Sequence, residues 1–517
     1  MPPADVLRRH GARVLDPTDA VLRPGDRLRP TVYRTDRLIL SQSVVTDPAM
    51  RSTLDTAAAE LGLSLTLEEG TGAGYGVGAD LVGVRALLSP APGRPVSPDA
   101  WHVLQLARAM HHPHPLTGAT LDHLMFAGRQ PMTLVPFHDP NGVGGAPTVQ
   151  YAEPGWGGRQ PVAVIGAPPL RSKVLGRRPV VAVLDTGCAS HPWLDRCVTR
   201  DLVLTSTTSG AARLVGYRGP DVDDIGDLVG PLDGGLDAFA GHGTAICGMV
   251  HQTCPDADIV SVRVVQPDGV VEESHLVGTL GQLYELAHRH VRGLPGGFPI
   301  DVVSLSLGCY YEAPFDPAFQ PELGEILRKL GELGVAVVAA AGNDATSRAM
   351  FPAAWSPNGY GPLRTTAAHR VPLISIGAQN PNLTVALFSN SGPWVCGWEI
   401  GASVVTTMPR FDAGANPVRS TMDPTGQRRE SVDPDDFSGG FGVWSGTSFA
   451  APIFAGRLAR KLLELAYRRT TAIPLDDPGR AVERGWRAIE ELTALRPPSA
   501  YPPRPVVADG KMRRWPG

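Results

Sequence analysis

Four short motifs in this chain carry side chains that could act together in acyl transfer. Ser448 lies in GTSFAAP (446–452), among small residues and ahead of an apolar pattern with helical spacing. At the start of a helix, free backbone N–H groups and the positive end of the helix dipole favour an oxygen that becomes a nucleophile beside an oxyanion. A serine that merely caps an ordinary helix is the competing interpretation of this stretch alone.

Three further side chains offer the groups that such a serine needs. His242 stands between two glycines, which leaves its ring accessible from both sides. Asp185 follows a continuous apolar run, where an unpaired charge would be unfavourable. Asn343 follows another apolar run, and its amide could donate to an oxyanion. Taken singly, each has an ordinary interpretation as a turn or helix-cap residue. Together, in one chain, they predict a catalytic site.

The apolar runs that precede these side chains predict buried parallel strands, because both faces of such strands are covered. Helical patterns separate several runs, which favours a parallel α/β sheet. Functional groups in such sheets lie beyond the carboxyl ends of the strands. The predicted strands are 179–184, 259–265, 302–307, 335–340 and 373–376, and the predicted helices are 274–290 and 321–333.

Residues 179–466 resemble the subtilase family of subtilisin-type serine peptidases. The resemblance rests on VLDTGCASHP around Asp185, GHGT around His242 and GTSFAAP around Ser448, in the family's order of Asp, His and Ser. Supporting blocks are VSLSLG, AAGN, FPAA and FSNSG. The resemblance implies an α/β, subtilisin-like three-layer fold with a mostly parallel central sheet. It also implies a serine endopeptidase that works through an acyl-enzyme.

Roles for the matching positions follow from the same resemblance. Ser448 would attack the scissile carbonyl, and His242 would take its proton and pass it to the leaving amine. Asp185 would orient the imidazole. The side chain of Asn343 and the backbone N–H of Ser448 would bind the oxyanion.

The resemblance also assigns the substrate to two segments that an extended peptide would pair with. They would line the pocket for the residue before the cleaved bond, together with nearby Asp344, Met350 and Phe351. Cys309 replaces a glycine of many relatives and is expected to narrow this pocket, whose mostly apolar lining predicts uncharged side chains. The two segments are Ser306-Leu307-Gly308 and Ala340-Ala341-Gly342.

Residues 1–138 are predicted to form a small α+β domain. Strand and helix signals follow the order βαββαβ, which is that of a ferredoxin-like unit. A cap residue followed by proline, at Asp47-Pro48 and Ser97-Pro98, predicts the start of each helix. The expected strands are 38–40, 63–67, 81–88 and 132–135.

The resemblance implies that this domain is a propeptide that acts as an intramolecular chaperone and inhibitor. Self-cleavage would then fall between about 140 and 175, in a Gly/Pro-rich linker predicted at 139–175. A permanent accessory domain is the alternative. The peptidase domain is placed at 176–475, and residues 476–517 are expected to hold a helix at 481–492 and a Pro-rich tail.

Composition limits the partners. The net charge of −4 makes no electrostatic case for nucleic acid or for an anionic membrane surface. Neither a signal-peptide pattern nor a membrane-length apolar run is found, which predicts a cytoplasmic protein, with a secreted one as the alternative.

No cofactor is expected to be required, and no metal ligand is assigned. Scattered cysteines show no paired spacing for zinc. An aspartate-rich stretch before His242 is dense enough in carboxylates to bind calcium but matches no EF-hand loop, so a solvated acidic loop is the preferred interpretation. Its members are Asp221, Asp223, Asp224, Asp227, Asp233 and Asp237.

The leading functional hypothesis is a serine endopeptidase that acts on protein or peptide substrates. One alternative is a catalytically silent relative that serves as a binding module, although the four intact groups argue against it. Another is a dedicated maturation protease or acyl transferase that acts on one precursor.

Overall fold

The computed structural model describes residues 2–18, 28–68, 83–128, 159–174, 176–230, 232, 234–316, 319–361, 363, 366–411, 419–433 and 436–496. We call the described residues up to 128 the N-terminal unit and those from 159 onward the large unit.

The N-terminal unit is an antiparallel sheet with helices between its strands. Its strands run in the order β5-β2-β4-β3, with β1 paired to β2. The helices are α1 Ala4–Arg9, α2 Gln42–Thr46, α3 Pro48–Glu60 and α4 Ala100–His111, and the strands are β1 Ala12–Val14, β2 Val32–Leu40, β3 Leu63–Glu68, β4 Val84–Pro90 and β5 Ala119–Phe126.

Local capping explains where two of these helices begin. The carboxylate of Asp47 accepts the N–H groups of Ala49 and Met50, which confirms the predicted start at Asp47-Pro48. The second helix begins later than Ser97-Pro98 because Asp99 caps it, accepting from the N–H of Trp101. No sequence pattern anticipates β5, and the strand expected at 132–135 lies outside the described residues.

The large unit contains a sheet of seven parallel strands in the order β16-β15-β14-β13-β7-β11-β8, which confirms the predicted parallel α/β sheet. Its strands are β6 Gln160–Pro161, β7 Val180–Asp185, β8 Val198–Thr199, β9 Val203–Thr205, β10 Ala212–Leu214, β11 Asp258–Arg263, β12 Val270–Glu272, β13 Val302–Leu305, β14 Ala336–Ala340, β15 Ile374–Gln379, β16 Gly397–Ile400, β17 Val404–Thr407, β18 Ser420–Met422, β19 Arg428–Glu430 and β20 Phe441–Trp444.

Helices cover the sheet. They are α5 Val222–Ile225, α6 His242–Thr253, α7 Glu273–Val291, α8 Glu322–Glu332, α9 Thr447–Ala466 and α10 Ala481–Leu492, with short 3₁₀ turns at Ala353–Trp355 and Pro478–Arg480. The predicted helices at 274–290, 321–333 and 481–492 are confirmed within one residue at each end.

The alternation of side chains along the central strands produces three layers. Val181 and Val183 of β7 pack with apolar residues of α6 and α9. Ala182 and Leu184 point the other way and pack with α7 and α8. Both faces of the strand are therefore buried, which is why its sequence is apolar without alternation.

The region expected to be a linker is partly structured. Within it, β6 pairs with β20, and the guanidinium of Arg159 donates to the carbonyl of Asp237 at 2.7 Å. Residues 139–158 and the tail from 497 lie outside the described residues.

The two units share one sheet. Strand β12 of the large unit pairs antiparallel with β5, so that the N-terminal sheet continues as β12-β5-β2-β4-β3. In this register Phe126 faces Val270 and Leu124 faces Glu272. Among the described residues, no helix is both long and apolar enough to span a membrane.

Candidate active site

Asp185 and His242 meet at the carboxyl end of β7. Asp185 is the last residue of that strand, and His242 is the first residue of α6, after Gly241 with φ +83°. The Nδ1 atom of His242 lies 2.6 Å from Oδ1 of Asp185, and both side chains are buried. With Nδ1 engaged by the carboxylate, Nε2 remains for a partner on the substrate side.

Three aromatic rings hold the imidazole in place. The rings of Phe239, Trp444 and Phe449 meet it edge-on, with centroids 5.8, 5.7 and 5.3 Å away. Phe449 is the neighbour of Ser448, so the contact also ties the imidazole to the start of α9. Edge-on packing of this kind favours one ring orientation.

Asp223 is a further carboxylate near the site, and its burial was not predicted from the sequence. It accepts hydrogen bonds from the hydroxyl of Thr186 at 2.7 Å and from the N–H and hydroxyl of Thr244 at 2.8 and 2.6 Å. Thr186 follows Asp185, and Thr244 lies in the first turn of α6. One carboxylate thus joins the loop of the catalytic aspartate candidate to the helix of the histidine.

The environment of Asp223 opposes its charge. Burial, together with the neighbouring charge of Asp221, raises the pKa of Asp223 to about 7. The expectation of a solvated acidic loop is therefore wrong for this residue, because it is fully buried. Its sequence signal is its place in an Asp-x-Asp pattern that opens α5, with Asp221 as the N-cap, and this pattern does not report burial.

Ser448 lies in the first turn of α9, as its motif predicts. The hydroxyl of Ser306 donates to the backbone carbonyl of Ser448 at 2.9 Å, which ties the first turn to the end of β13. The Ser448 Oγ is buried and has no hydrogen-bond partner among the described residues. In this state the hydroxyl is not bonded to His242, an arrangement often seen in resting sites whose catalytic hydrogen bonds tighten with substrate.

Asn343 is oriented by Thr447. Its Oδ1 accepts from the N–H and the hydroxyl of Thr447, each at 2.8 Å. The Thr447 hydroxyl in turn accepts the N–H of Gly342 at 3.0 Å. Because the amide oxygen is committed, its Nδ2 is the group left to donate.

A segment of the N-terminal unit ends at this constellation. A side-chain carbon on Gly128 would lie 2.8 Å from Ser448 Oγ and 3.2 Å from Asn343 Nδ2. Ser448 Oγ and Asn343 Nδ2 therefore both lie close to one point, and that point is next to the Cα atom of Gly128. Two sequence-predicted site residues are thus brought together with a third chain segment that no motif indicated.

The segment 124–128 lies along the large unit as an added strand. Phe126 and Gly308 exchange both backbone hydrogen bonds, at 2.9 and 3.0 Å. The N–H of Ala127 donates to the carbonyl of Gly269 at 3.0 Å. The side chains of Met125 and Ala127 are buried in the apolar core of the large unit. This is strand addition, the mode by which an extended peptide is commonly bound.

The two predicted peptide-pairing segments differ in what they can do. Gly308 pairs with Phe126 of the same chain, while Ser306 and Leu307 are buried beside it. The backbone of the other segment is occupied: the N–H of Ala341 donates to Ile376, and its carbonyl accepts from Asn390. Ala340 is the last residue of β14. The segment 124–128 pairs on its other side with Gly269 and β12, whereas the N–H and carbonyl groups of Ala341 and Gly342 are bonded within the large unit. Pairing of a peptide with Ala340-Ala341-Gly342 stays a prediction.

Buried charges join the units next to this segment. His123 of β5 lies 2.7 Å from Glu273 and 2.8 Å from Glu312, both in the large unit. Burial alone would lower the pKa of His123, but the two carboxylates outweigh it and raise the pKa to about 10. The same histidine holds the pKa of Glu312 below its usual value despite burial. The carboxylate of Asp122 accepts from the N–H of Ser274, in the first turn of α7.

The described residues contain no cluster of three or more His, Cys, Asp or Glu arranged to hold a metal ion. In the acidic stretch, Asp223 and Asp237 accept N–H and hydroxyl donors. These carboxylates thus accept hydrogen bonds within the protein. All six cysteines are free thiols.

A parallel α/β sheet that brings Asp, His and Ser to one edge, with an amide donor beside the serine, is the architecture of an α/β serine hydrolase. A family model described as the subtilase family (peptidase S8) matches residues 176–471. The chain therefore belongs to the subtilase family, and it is a subtilisin-like serine peptidase.

Two curated relatives bear names that agree with this family. The chain is similar to the intracellular serine protease of Paenibacillus polymyxa, with 26% identity over 330 residues that cover 60% of this chain and 76% of the relative. It is also similar to the major intracellular serine protease of Bacillus subtilis (strain 168), with 24% identity over 315 residues that cover 58% and 73%. Fervidolysin from Fervidobacterium pennivorans, a keratinolytic enzyme related to subtilisin, aligns with a TM-score of 0.45 and 17% identity over 87% of this chain and 56% of its own.

Proposed function

We propose that this protein is a serine endopeptidase whose nucleophile is Ser448. The observation that carries the proposal is the convergence at Gly128, where Ser448 Oγ and Asn343 Nδ2 approach one point in a cleft already paired with an extended strand. A nucleophile and an oxyanion donor within reach of the same atom are what acyl transfer requires.

Each residue has one task in the proposed reaction. Ser448 Oγ attacks the carbonyl carbon while His242 Nε2 takes its proton. The C–N bond then breaks, and His242 returns that proton to the leaving amine. Water attacks the acyl-enzyme with His242 again as base, which releases the acid and restores the serine. Asp185 holds the imidazole tautomer through the bond at Nδ1.

Asn343 and the N–H of Ser448 would bind the oxyanion. The amide is turned for this task by Thr447, which binds its oxygen. The N–H of Ser448 lies in the first turn of α9, where backbone donors lack an intrahelical acceptor. These donors are fixed before the reaction begins, so no reorganisation is needed when charge develops.

We propose that the N-terminal unit is an intramolecular inhibitor of this site and a ferredoxin-like domain. Its strand order and its βαββαβ sequence of elements support the second statement. The strand 124–128 fills the acyl side of the cleft and buries Met125 and Ala127, which supports the first. A role as folding chaperone would follow, because β5 is the one strand of the described residues that pairs with β12.

The substrates in this proposal are proteins or peptides in extended conformation, bound by Gly308 and β12 in the manner of residues 124–128. The relatives' names describe intracellular proteases, which supports an intracellular location for this chain. Neither a cofactor nor a metal takes part in the proposed steps.

The proposal is tested by hydrolysis of unfolded casein. Wild type should release peptides, and Ser448→Ala should release none while keeping the wild-type melting temperature. Ser209→Ala, an exposed serine on the same unit, should match wild type. Casein hydrolysis that survives Ser448→Ala would refute the assignment of the nucleophile.

A further inference from the structure

Met350 occupies the space between the two segments that flank the cleft beside Ser448. A side-chain carbon on Gly308 would lie 2.7 Å from Met350 Cε, and one on Gly342 would lie 2.6 Å from Met350 Sδ. The methionine thioether is therefore packed against both glycines at once. It is buried, and it belongs to the same apolar core as Cys309 and Phe351.

Local pairing holds Met350 in this position. Cys309 and Phe351 exchange both backbone hydrogen bonds, each at 2.9 Å, in an antiparallel bridge. This bridge fixes the backbone beside Met350, whose side chain then reaches Gly308. Cys309, which was expected to narrow the pocket itself, instead has its thiol buried in the core and acts through this pairing. The side chain that fills the pocket is Met350.

Gly128, at the end of the docked segment, indicates the same restriction on side-chain size, here from the side of the bound segment. It has φ +53°, which glycine adopts without strain. In this docked conformation a side-chain carbon would meet the serine oxygen at 2.8 Å. In the extended conformation needed for attack, a side chain would instead turn toward the space that Met350 fills. The positive φ and the close approach to Ser448 Oγ favour glycine in the docked conformation, and the contacts of Met350 favour glycine in the extended one.

We infer that Met350 makes this peptidase selective for glycine before the cleaved bond, and that its own chain supplies such a bond on the carboxyl side of Gly128. The inference rests on the proposed peptidase function and adds its specificity and its self-processing site. The cut lies outside the range of 140 to 175 that the family resemblance implies.

The self-cleavage step is the ordinary reaction with Gly128 as the acyl group. Ser448 Oγ attacks the Gly128 carbonyl, and its proton passes through His242 to the amine of residue 129 as the C–N bond breaks. Water then hydrolyses the glycyl ester, leaving a carboxylate on Gly128 and a free serine. Because glycine populates both signs of φ, the residue can rotate from its docked conformation to the extended one at little cost.

Intact mass and casein digestion together test this inference. Full-length wild type should convert to fragments 1–128 and 129–517, while Ser448→Ala should stay whole. In casein digests, wild type should cut after glycine in preference to alanine by at least about tenfold, the usual effect of one methyl group in a closed pocket. Met350→Gly should open the pocket and add cuts after larger apolar residues.

Matched controls separate the inference from the proposed function. Met422→Gly, at an exposed methionine, should keep the glycine preference of wild type. Casein cut equally well after leucine or phenylalanine by wild type, or a chain processed at another bond, would overturn the inference and leave the peptidase intact. Loss of all hydrolysis, together with failure of a fluorophosphonate to label Ser448, would overturn the proposed function itself.

Discussion

Thr447 binds the side-chain oxygen of Asn343 through both its N–H and its hydroxyl, at 2.8 Å each, and thereby turns the amide nitrogen toward the nucleophile. The relationship makes the residue before Ser448 a positioning residue for the oxyanion donor. The serine motif thus contains both the nucleophile, Ser448, and the residue that orients the oxyanion donor Asn343.

Replacing Asn343 by alanine should slow catalysis without abolishing it. Loss of one oxyanion donor typically lowers kcat about 10²–10³-fold, and the N–H of Ser448 remains. Steady-state kinetics on a peptide substrate measure the effect. Asn382→Ala, in an exposed turn, is the control, and a kcat of Asn343→Ala equal to that of the control would remove Asn343 from the mechanism.

Thr447→Val should lower kcat about tenfold and leave KM unchanged. The variant loses one hydrogen bond that orients Asn343, and about 1.4 kcal/mol in the transition state corresponds to that factor. Thr447→Ser keeps the hydroxyl and should restore wild-type kcat. A rise in KM with constant kcat would instead assign Thr447 to substrate binding.

Asp223→Asn should lower kcat and flatten the dependence of stability on pH. The NH₂ group of an asparagine would face Thr186 or Thr244, both of which donate to the carboxylate in wild type. One of these hydrogen bonds would be lost, and the link between the two threonines would loosen. The folded pKa of Asp223, about 7, lies above its usual 3.8. The protonated form of Asp223 is therefore favoured in the folded state. The stability that this protonated form contributes to wild type should be lost as pH rises from about 4 to 7.

Melting temperatures of wild type and Asp223→Asn across this range measure the difference, with Asp224→Asn as control at the exposed neighbour. Parallel curves for wild type and Asp223→Asn would show that Asp223 does not titrate between these limits.

His123→Leu should weaken the docking of the N-terminal unit. The variant leaves Glu273 and Glu312 buried without their cation, a loss that typically costs about 3–5 kcal/mol. The folded pKa of His123 is raised from its usual 6.5 to about 10. Its contribution to stability is thus complete below about 6.5 and is lost as pH rises through about 10. The lowered pKa of Glu312 adds a loss of stability in acid, below its usual 4.5.

Thermal melting at pH 6, 8 and 10 checks this behaviour. Wild type should lose stability across the range, and His123→Leu should start lower and change less. His114→Leu, an exposed histidine of the same unit, should follow wild type. A wild-type melting temperature in His123→Leu at pH 6 would show that the buried charges do not hold the units together.

The catalytic motifs were predictable because their signals are local. Glycines around His242 and small residues around Ser448 mark positions where a backbone must be approached closely, and the apolar run before Asp185 marks a buried strand. The order of strands and helices in the large unit follows from the same kind of pattern.

Other features depend on contacts between distant segments and left no local signal. The pairing of β5 with β12 joins residues far apart in the chain, and the sequence of neither strand indicates which strand it pairs with. The sequence predicts that Asp223 is one of several solvated aspartates. In the structure it is buried, because it binds Thr186 and Thr244 from distant segments. The sequence predicts that Met350 lies near the pocket, but only its close contacts with Gly308 and Gly342 show that it lies between the two segments.

Fluorophosphonate labelling followed by peptide mapping tests the central claim most directly. Wild-type protein should carry one adduct, on Ser448, and His242→Ala should label far more slowly because its serine lacks a base. Ser448→Ala should carry none. Folded wild-type protein that remains unlabelled, or an adduct that persists in Ser448→Ala, would contradict the assignment of Ser448 as the nucleophile.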